Sequence, residues 1–172
     1  MDQQHFDFFL PSPPPVPKSS LIKQIKVVTL REVRTQYNPL TQPEQLVEFW
    51  RNEIETASWF DADKEHLVVF CLDTKLRLKG FALVSVGLIN QTLIHAREVF
   101  RPAIVLAASY VALLHNHPSG DPRPSEDDIR ASKEIYRSGE ILGVHLVDSI
   151  IVGQTTKDSK GYVSLKEMGV IE

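Results

Sequence analysis

Apolar residues along the chain fall into continuous runs and periodic stretches, which predict strands and helices respectively. Continuous apolar runs are typical of buried strands. Strands are predicted at residues 25–30, His66–Leu72, 76–88, 110–115 and 143–152. Helices are predicted from Thr41 onward, at residues 96–108 and at residues 125–139, and a short helix is expected within 161–172. Helices therefore alternate with strands along most of the chain.

Capping and proline residues indicate where two of these helices begin. Thr41 is a suitable N-cap for the first helix. Pro102 lies inside the second predicted helix. Because proline is tolerated in the first turn of a helix, the true start of this helix is expected near Arg101.

The order of the elements predicts an α/β (α+β mixed) fold, a single three-layer domain with helices flanking one central sheet. A chain of 172 residues is long enough for one such domain with a sizeable core. Residues 11–17 are mostly proline, so residues 1–20 are interpreted as a flexible tail and residues 21–172 as the domain.

Composition narrows the class of protein. The single cysteine, Cys71, excludes a disulfide framework and favours a reducing, cytoplasmic setting. No apolar run is long enough to span a bilayer, and the N-terminus lacks the features of a secretory signal, so no membrane association is expected. The net charge of −3 argues against strong nonspecific binding to nucleic acid, although a local basic patch is compatible with it.

The segment 115–128, with the sequence HNHPSGDPRPSEDD, carries the candidate chemistry. His115 and His117 lie two residues apart at the end of a predicted strand, so their imidazoles face the same side. A proline-rich loop then leads to a helix that starts at Ser125, and Asp128 lies one turn into that helix. Two histidines and one carboxylate can hold zinc and leave a fourth position for water, as catalytic zinc sites do.

Each part of this segment also has a structural explanation. An H-x-H pair is common without any metal. Ser125 and Asp128 have the spacing of a helix-capping pair, in which both residues satisfy backbone groups. The residues alone leave both explanations open, and the metal hypothesis gains support only when strand, loop and helix are taken together.

The same residues resemble a known family. H-x-H, seven residues and then S-x-x-D is similar to the JAMM motif of the JAB/MPN metalloprotease superfamily, and HNHPSGDPRPSEDDI resembles its RadC branch. The similarity extends over roughly residues 22–172 and includes 65–75, 87–100 and 143–153. It implies a JAB/MPN-like, cytidine-deaminase-like domain with a mixed central sheet. Many RadC proteins carry a helical N-terminal domain, whereas a proline-rich segment precedes the first predicted strand here, so inherited DNA binding is not expected.

The resemblance also implies roles for single residues. His115, His117 and Asp128 would hold Zn²⁺, and the Ser125 hydroxyl would stabilise the reacting oxygen. Glu65, just before a buried strand, would act as the catalytic glutamate that accepts and returns a proton. Glu98 is the competing glutamate, although its place in a predicted helix favours a local salt bridge.

Three functions follow as hypotheses. The first is a zinc-dependent metallopeptidase or isopeptidase that cleaves an amide bond by zinc-activated water, with a peptide or isopeptide as substrate. The second is a DNA-repair-associated RadC-like protein whose metal site acts on or near nucleic acid. The third is a non-catalytic scaffold, which the intact ligand set disfavours.

The remaining polar and thiol residues are assigned less specific roles. His95 and His145 are expected to be hydrogen-bonded structural residues. His66 is expected only to decorate the start of its strand, and Cys71 to be a small buried apolar residue. Asp148 lies in an apolar strand, where an acid needs partners, and could support a zinc ligand.

Overall fold

The computed structural model describes residues 39–87 and 94–172. Within these residues it contains helices α1–α3, a π-helical turn after α1, and strands β1–β5. Their bounds are α1 Pro43–Phe49, the π-helical turn Trp50–Ile54, β1 His66–Leu72, β2 Leu78–Val86, α2 Ala96–Val105, β3 Tyr110–Asn116, α3 Glu126–Leu142, β4 His145–Val152 and β5 Tyr162–Ser164. The predicted tail at 1–20 and the predicted strand at 25–30 lie outside the described residues.

The five strands form one mixed sheet in the order β2-β1-β3-β4-β5. Strand β1 pairs antiparallel with both β2 and β3, and β4 pairs antiparallel with β5. Strands β3 and β4 are parallel and are connected through α3. The predicted mixed sheet is therefore confirmed. Parallel neighbours need a crossover connection, and α3 provides it here.

Helices cover both faces of the sheet. On one face, α1 and the π-helical turn pack their buried side chains against alternate residues of β1, such as Val68 and Phe70. On the other face, α2 and α3 pack against the intervening residues, such as Leu67 and Val69. Alternate residues of a strand point to opposite faces, so a strand that is apolar throughout is buried on both sides. The predicted three-layer α/β fold is confirmed.

The predicted start of α2 at residue 96 is confirmed, whereas the shift of that start to near Arg101 was wrong. The helix begins at Ala96, and Pro102 lies in its interior, three residues before the end at Val105. The packing of Val99, Phe100 and Ala103 against the sheet stabilises the upstream turn, even though the proline removes one backbone donor. Tertiary packing outweighs the local signal here.

Backbone geometry explains several shifted boundaries. Leu76 has a φ of 57°, so it belongs to the turn and β2 begins two residues later than predicted. Gly143 has a φ of 67° and ends α3, so β4 begins at His145 instead of residue 143. Gln42, instead of Thr41, is the N-cap of α1, because Pro43 occupies the first helical position.

The C-terminal prediction was also wrong. The residues after Gly161 form the short strand β5 and then a series of turns, without a helix in 161–172. Strand β5 has three residues and adds to the free edge of β4. A strand this short has no periodicity that a sequence pattern can reveal. In both described ranges, no helix is long and apolar enough to cross a membrane.

Candidate metal centre

The polar residues singled out from the sequence meet at the end of the sheet where β1 begins and β3 ends. Leu67 pairs with His115, so the start of one strand lies beside the end of the other. Glu65 immediately precedes β1, and His117 immediately follows β3. The loop after His117 leads into α3, whose first turn contains Asp128.

The loop between His117 and α3 is fastened to the end of β4. The His117 amide donates to the Val152 carbonyl at 2.9 Å, and the Gln154 amide donates to the Gly120 carbonyl at 2.8 Å. A Cβ atom on Gly153 would lie only 2.4 Å from that Gly120 oxygen. Glycine at 153 therefore permits a close approach that a larger residue would block.

Ser125 and Asp128 form a capping box at the start of α3. The Ser125 hydroxyl oxygen accepts from the Asp128 amide at 3.1 Å, and Asp128 Oδ2 accepts from the Ser125 amide at 2.7 Å. The Ser125 hydroxyl also donates to Asp128 Oδ2 at 2.6 Å. The cap turns the carboxylate back toward the histidines, so capping and metal binding are compatible in this geometry.

The donor atoms of four side chains converge. Glu65, His115, His117 and Asp128 each offer one ligand atom, and these atoms lie within 4.8 Å of one another. The two Nε2 atoms are 3.2 Å apart, His115 Nε2 is 3.3 Å from Asp128 Oδ1, and His117 Nε2 is 3.5 Å from Asp128 Oδ2. A tetrahedral ion with ligands at about 2.0–2.1 Å separates its donors by about 3.3 Å. The two histidines and Asp128 thus have the spacing of a shared metal ion.

A backbone contact orients His117. Its Nδ1–H donates to the Asp121 carbonyl at 2.8 Å, which leaves the Nε2 lone pair on the side of the cluster. This is the arrangement seen in many metal sites, where the second ring nitrogen of a histidine is fixed by a hydrogen bond. The side chain of Asp121, by contrast, binds Arg123 at the surface.

The charges in the cluster depend on one another. Burial alone raises the pKa of Asp128, but hydrogen bonds from His115, His117 and Ser125 outweigh burial and hold the pKa of the carboxyl well below its usual range. The Asp128 carboxylate in turn raises the pKa of His117. Asp128 is therefore a carboxylate at neutral pH, the form that can bind a cation.

The comparisons with known proteins agree with this geometry. The family model described as RadC-like JAB domain matches residues 40–170. The chain belongs to this family. A UPF0758 protein of Caldanaerobacter subterraneus subsp. tengcongensis is 38% identical over 130 residues, which cover 76% of this chain and 52% of that protein. A UPF0758 protein of Thermotoga maritima is 47% identical over 107 residues, which cover 62% of this chain and 46% of that protein. The RadC-like chain thus spans about half the length of the curated relatives that it matches.

The structure distinguishes between the two candidate glutamates of this RadC-like domain. The Glu65 carboxylate lies 3.6 Å from His115 Nε2 and 3.9 Å from His117 Nε2, farther than the spacing between the other donors. Glu98 instead binds Arg101 at 2.6 Å on the surface of α2, as its helical position predicted. Glu65 is therefore the glutamate that can act on a group held by the cluster.

Two contacts of the RadC-like site were not predicted from the sequence. One is the backbone carbonyl of Asp121, which binds His117 Nδ1. The other involves Asn116, whose buried side-chain amide contacts the backbone on both sides of Glu65. An H-x-H motif does not define the residue between its histidines. Only the register of β1 with β3 shows that this residue lies beside the backbone around Glu65.

Most of the remaining polar and thiol residues have defined structural contacts. His95 is instead exposed at the N-cap of α2, and its side chain makes no capping hydrogen bond. Cys71 is buried as predicted, and burial raises the pKa of its thiol to about 12. His145 Nδ1 lies 2.6 Å from Glu140, which confirms a hydrogen-bonded role. His66 is 0% exposed and packs on the Phe60 ring, so the expectation of a decorating residue was wrong. Asp148 accepts hydrogen bonds from the segment that follows β4, as described below.

Proposed function

We propose that this RadC-like domain is a zinc-dependent hydrolase of the JAMM type, which cleaves an amide bond in a peptide or isopeptide. The observation that carries the proposal is the convergence of Glu65, His115, His117 and Asp128 within 4.8 Å. Two imidazoles and one carboxylate are a donor set that suits zinc. Membership of the JAB superfamily, which includes hydrolases, supports the same reading.

The ligand roles follow from the geometry. His115 and His117 would bind zinc through Nε2, and Asp128 through its carboxylate. When bound, zinc supplies a water of lowered pKa and polarises a carbonyl oxygen. The hydrogen bond from His117 to the Asp121 carbonyl keeps one imidazole in the correct tautomer.

Two further residues would act on the reacting groups. Glu65, beside the histidines, would accept a proton from the attacking water and return it to the leaving nitrogen. The Ser125 hydroxyl, which now donates to Asp128, would rotate to donate to the oxygen that becomes negative in the transition state. The Cys71 thiol is not a candidate nucleophile, because burial in the core raises its pKa to about 12 and keeps it protonated at neutral pH.

The first experiment measures metal content and hydrolysis together. Elemental mass spectrometry of the purified wild type should find about one zinc per chain, and Asp128→Ala should lose most of it, because two imidazoles alone leave the ion under-coordinated. Glu65→Gln is the matched variant: it should keep zinc and lose hydrolysis. Lys-linked isopeptides, linear peptides and oligonucleotides are tested side by side with each protein.

The outcomes separate the three hypotheses. Zinc-dependent cleavage of an amide that requires Glu65 supports the proposal. Cleavage of oligonucleotides, or binding that weakens steeply with salt, would favour the nucleic-acid alternative over it. A wild type that binds no zinc even when the ion is supplied would contradict the proposal and favour the scaffold.

The single buried cysteine supports a reducing, cytoplasmic location for the protein, so these assays are run under reducing conditions.

A further inference from the structure

Asn116 lies between the two histidines in the chain, and its side chain binds the backbone at the start of the neighbouring strand β1. Its Nδ2–H donates to the Lys64 carbonyl at 2.9 Å, and its Oδ1 accepts from the His66 amide at 2.9 Å. Asn116 is only 7% exposed; its hydrogen bond with the His66 amide is buried, and its hydrogen bond with the Lys64 carbonyl is partly buried. Glu65 is the residue between the two backbone groups that Asn116 binds.

The two contacts extend the pairing of β1 with β3 by one step. The last backbone pair between these strands is Leu67 with His115. The carbonyl of one residue and the amide two residues later lie on the same edge of an extended chain, so a single carboxamide can bind both. On the opposite edge, the Gly87 amide donates to the Glu65 carbonyl at 2.9 Å. The backbone of Glu65 is thus held from both sides.

We propose that Asn116 is a positioning residue: its carboxamide clamps the backbone around Glu65 and thereby holds the Glu65 carboxylate beside the metal ligands. The clamp connects two parts of the site, because Asn116 itself belongs to the H-x-H segment that supplies two metal ligands. The effect of the clamp on catalysis rests on the proposed function, whereas the existence of the clamp can be tested without that function.

Other contacts also support the segment around Glu65. The His66 imidazole donates from Nδ1 to the Lys64 carbonyl at 2.9 Å and packs 4.7 Å from the Phe60 ring centroid. These contacts remain when the carboxamide is removed, so Asn116→Ala should fold. Glu65 should then sample positions away from the histidines. Such a loss of orientation lowers activity without removing a reacting group.

The first test is amide hydrogen exchange, which needs neither metal nor substrate. In the wild type, the His66 amide should exchange slowly because Asn116 accepts its proton. In Asn116→Ala this amide should exchange at least about tenfold faster, while the amides in the middle of β1 stay protected. Unchanged protection at His66 would overturn the clamp.

The second test measures turnover of the proposed amide substrate and zinc content. Asn116→Ala should keep its zinc and lose roughly 10–100-fold in kcat, with a smaller change in KM. The double variant Asn116→Ala with Glu65→Gln should be no slower than Glu65→Gln alone, because Asn116 acts through Glu65. Two losses that multiply in the double variant would overturn the positioning role.

Two further variants guard against an indirect effect. Ser132→Ala removes another buried side-chain hydrogen bond, 2.8 Å to Ser149, and should leave both exchange at His66 and kcat unchanged. Asn116→Asp keeps the acceptor for His66 but loses the donor to Lys64, so His66 should stay protected while kcat falls. Wild-type kcat in this variant would overturn the role of the Lys64 contact.

Failure of the proposed function would look different. If the wild type binds no zinc and cleaves no amide, the proposed function fails, and exchange at the His66 amide still decides whether the clamp exists. If Glu65→Gln turns over as fast as the wild type, the proton-transfer role of Glu65 fails independently of Asn116.

Discussion

The Ser125 hydroxyl takes part in two interactions that belong to different functions. It accepts the Asp128 amide proton at the start of α3, which is a stabilising cap. It also donates to the Asp128 carboxylate at 2.6 Å and is the hydroxyl group proposed to assist the reaction. Mutation to alanine alone would disturb both interactions, so a second variant is needed to separate them.

Ser125→Gly and Ser125→Ala should differ in stability and agree in activity. Alanine at an N-cap typically costs about 1 kcal/mol of stability, whereas glycine costs only a few tenths. Both variants should retain zinc and lose about 10²–10³-fold in kcat, the usual effect of losing an oxyanion donor. Urea unfolding, zinc content and turnover measure the three quantities, with half-buried Ser138→Ala in α3 as the control.

The pattern across the two variants decides between the roles. If kcat falls only in the less stable Ser125→Ala, the hydroxyl acts mainly as a helix cap. Loss of zinc from Ser125→Gly would instead mean that Ser125 is needed to orient Asp128 toward the metal.

For single residues, the sequence predicted those site residues that lie close together along the chain. His115, His117, Ser125 and Asp128 lie within one short segment, and their spacing on a strand end and a helix start predicts their convergence. Asn116 and Asp121 were not predicted in their roles, because one acts across β1 and the other through a backbone carbonyl. A single sequence carries no sign of contacts between residues fifty positions apart.

Among the elements, the loop between β3 and α3 is the one that shapes the site. Gly120 and Pro122 of this loop lie against Gly153, where an added Cβ would be 2.4 Å from the Gly120 oxygen and 2.9 Å from the Pro122 nitrogen. Asp121, which orients His117, lies between these two residues. Any shift of the loop therefore moves the carbonyl that holds the histidine.

Gly153→Ala should consequently weaken metal binding without touching a ligand. The loop must move to admit the methyl group, and loss of the supporting contact to His117 is expected to lower zinc affinity roughly 10–100-fold. Overpacking should also lower stability by about 1–3 kcal/mol. Zinc affinity is measured by competition with a chromophoric chelator, and stability by urea unfolding.

Gly139→Ala is the matched control for this prediction. Its Cβ would lie 2.6 Å from the Val144 carbonyl oxygen, a comparable clash in the last turn of α3, at the opposite end of the helix from Asp128. It should lower stability and leave zinc affinity unchanged. If both variants lose affinity in proportion to stability, the effect is general destabilisation and the loop argument fails.

The bounds of some helices and strands were predicted correctly and those of others were not, and each outcome has a physical reason. The apolar run of β1 matches its observed bounds, His66–Leu72, because a strand buried on both faces has no polar interruptions. The shift of the α2 start to near Arg101 was wrong because packing of Phe100 and Ala103 outweighs the effect of Pro102. Strand β5 was missed because its three residues are specified by pairing with β4, which is not a local property.

For the whole molecule, one buried acid adds to the strand pairing that attaches the last segment of the described chain to the sheet. Asp148 in β4 is 4% exposed. Its Oδ2 accepts from the Ser164 hydroxyl at 2.7 Å, and its Oδ1 accepts from the amides of Ser149 at 2.7 Å and Lys166 at 3.2 Å. Burial raises the pKa of Asp148 although these hydrogen bonds oppose the shift. Its contacts thus support β5 and the following turn instead of a zinc ligand.

The raised pKa of Asp148 predicts a pH dependence of global stability. Because the folded state favours the protonated acid, the contribution of Asp148 is fully present below the unfolded pKa of about 3.9 and is lost as pH rises through the folded pKa. Asp148→Asn cannot ionise, and its amide can still accept from both backbone amides and donate to Ser164. The free energy of unfolding of this variant, relative to the wild type, should therefore increase from pH 4 to pH 7 in urea titrations of metal-free protein. A relative stability that falls over this range would mean that ionised Asp148 strengthens its hydrogen bonds more than burial penalises its charge.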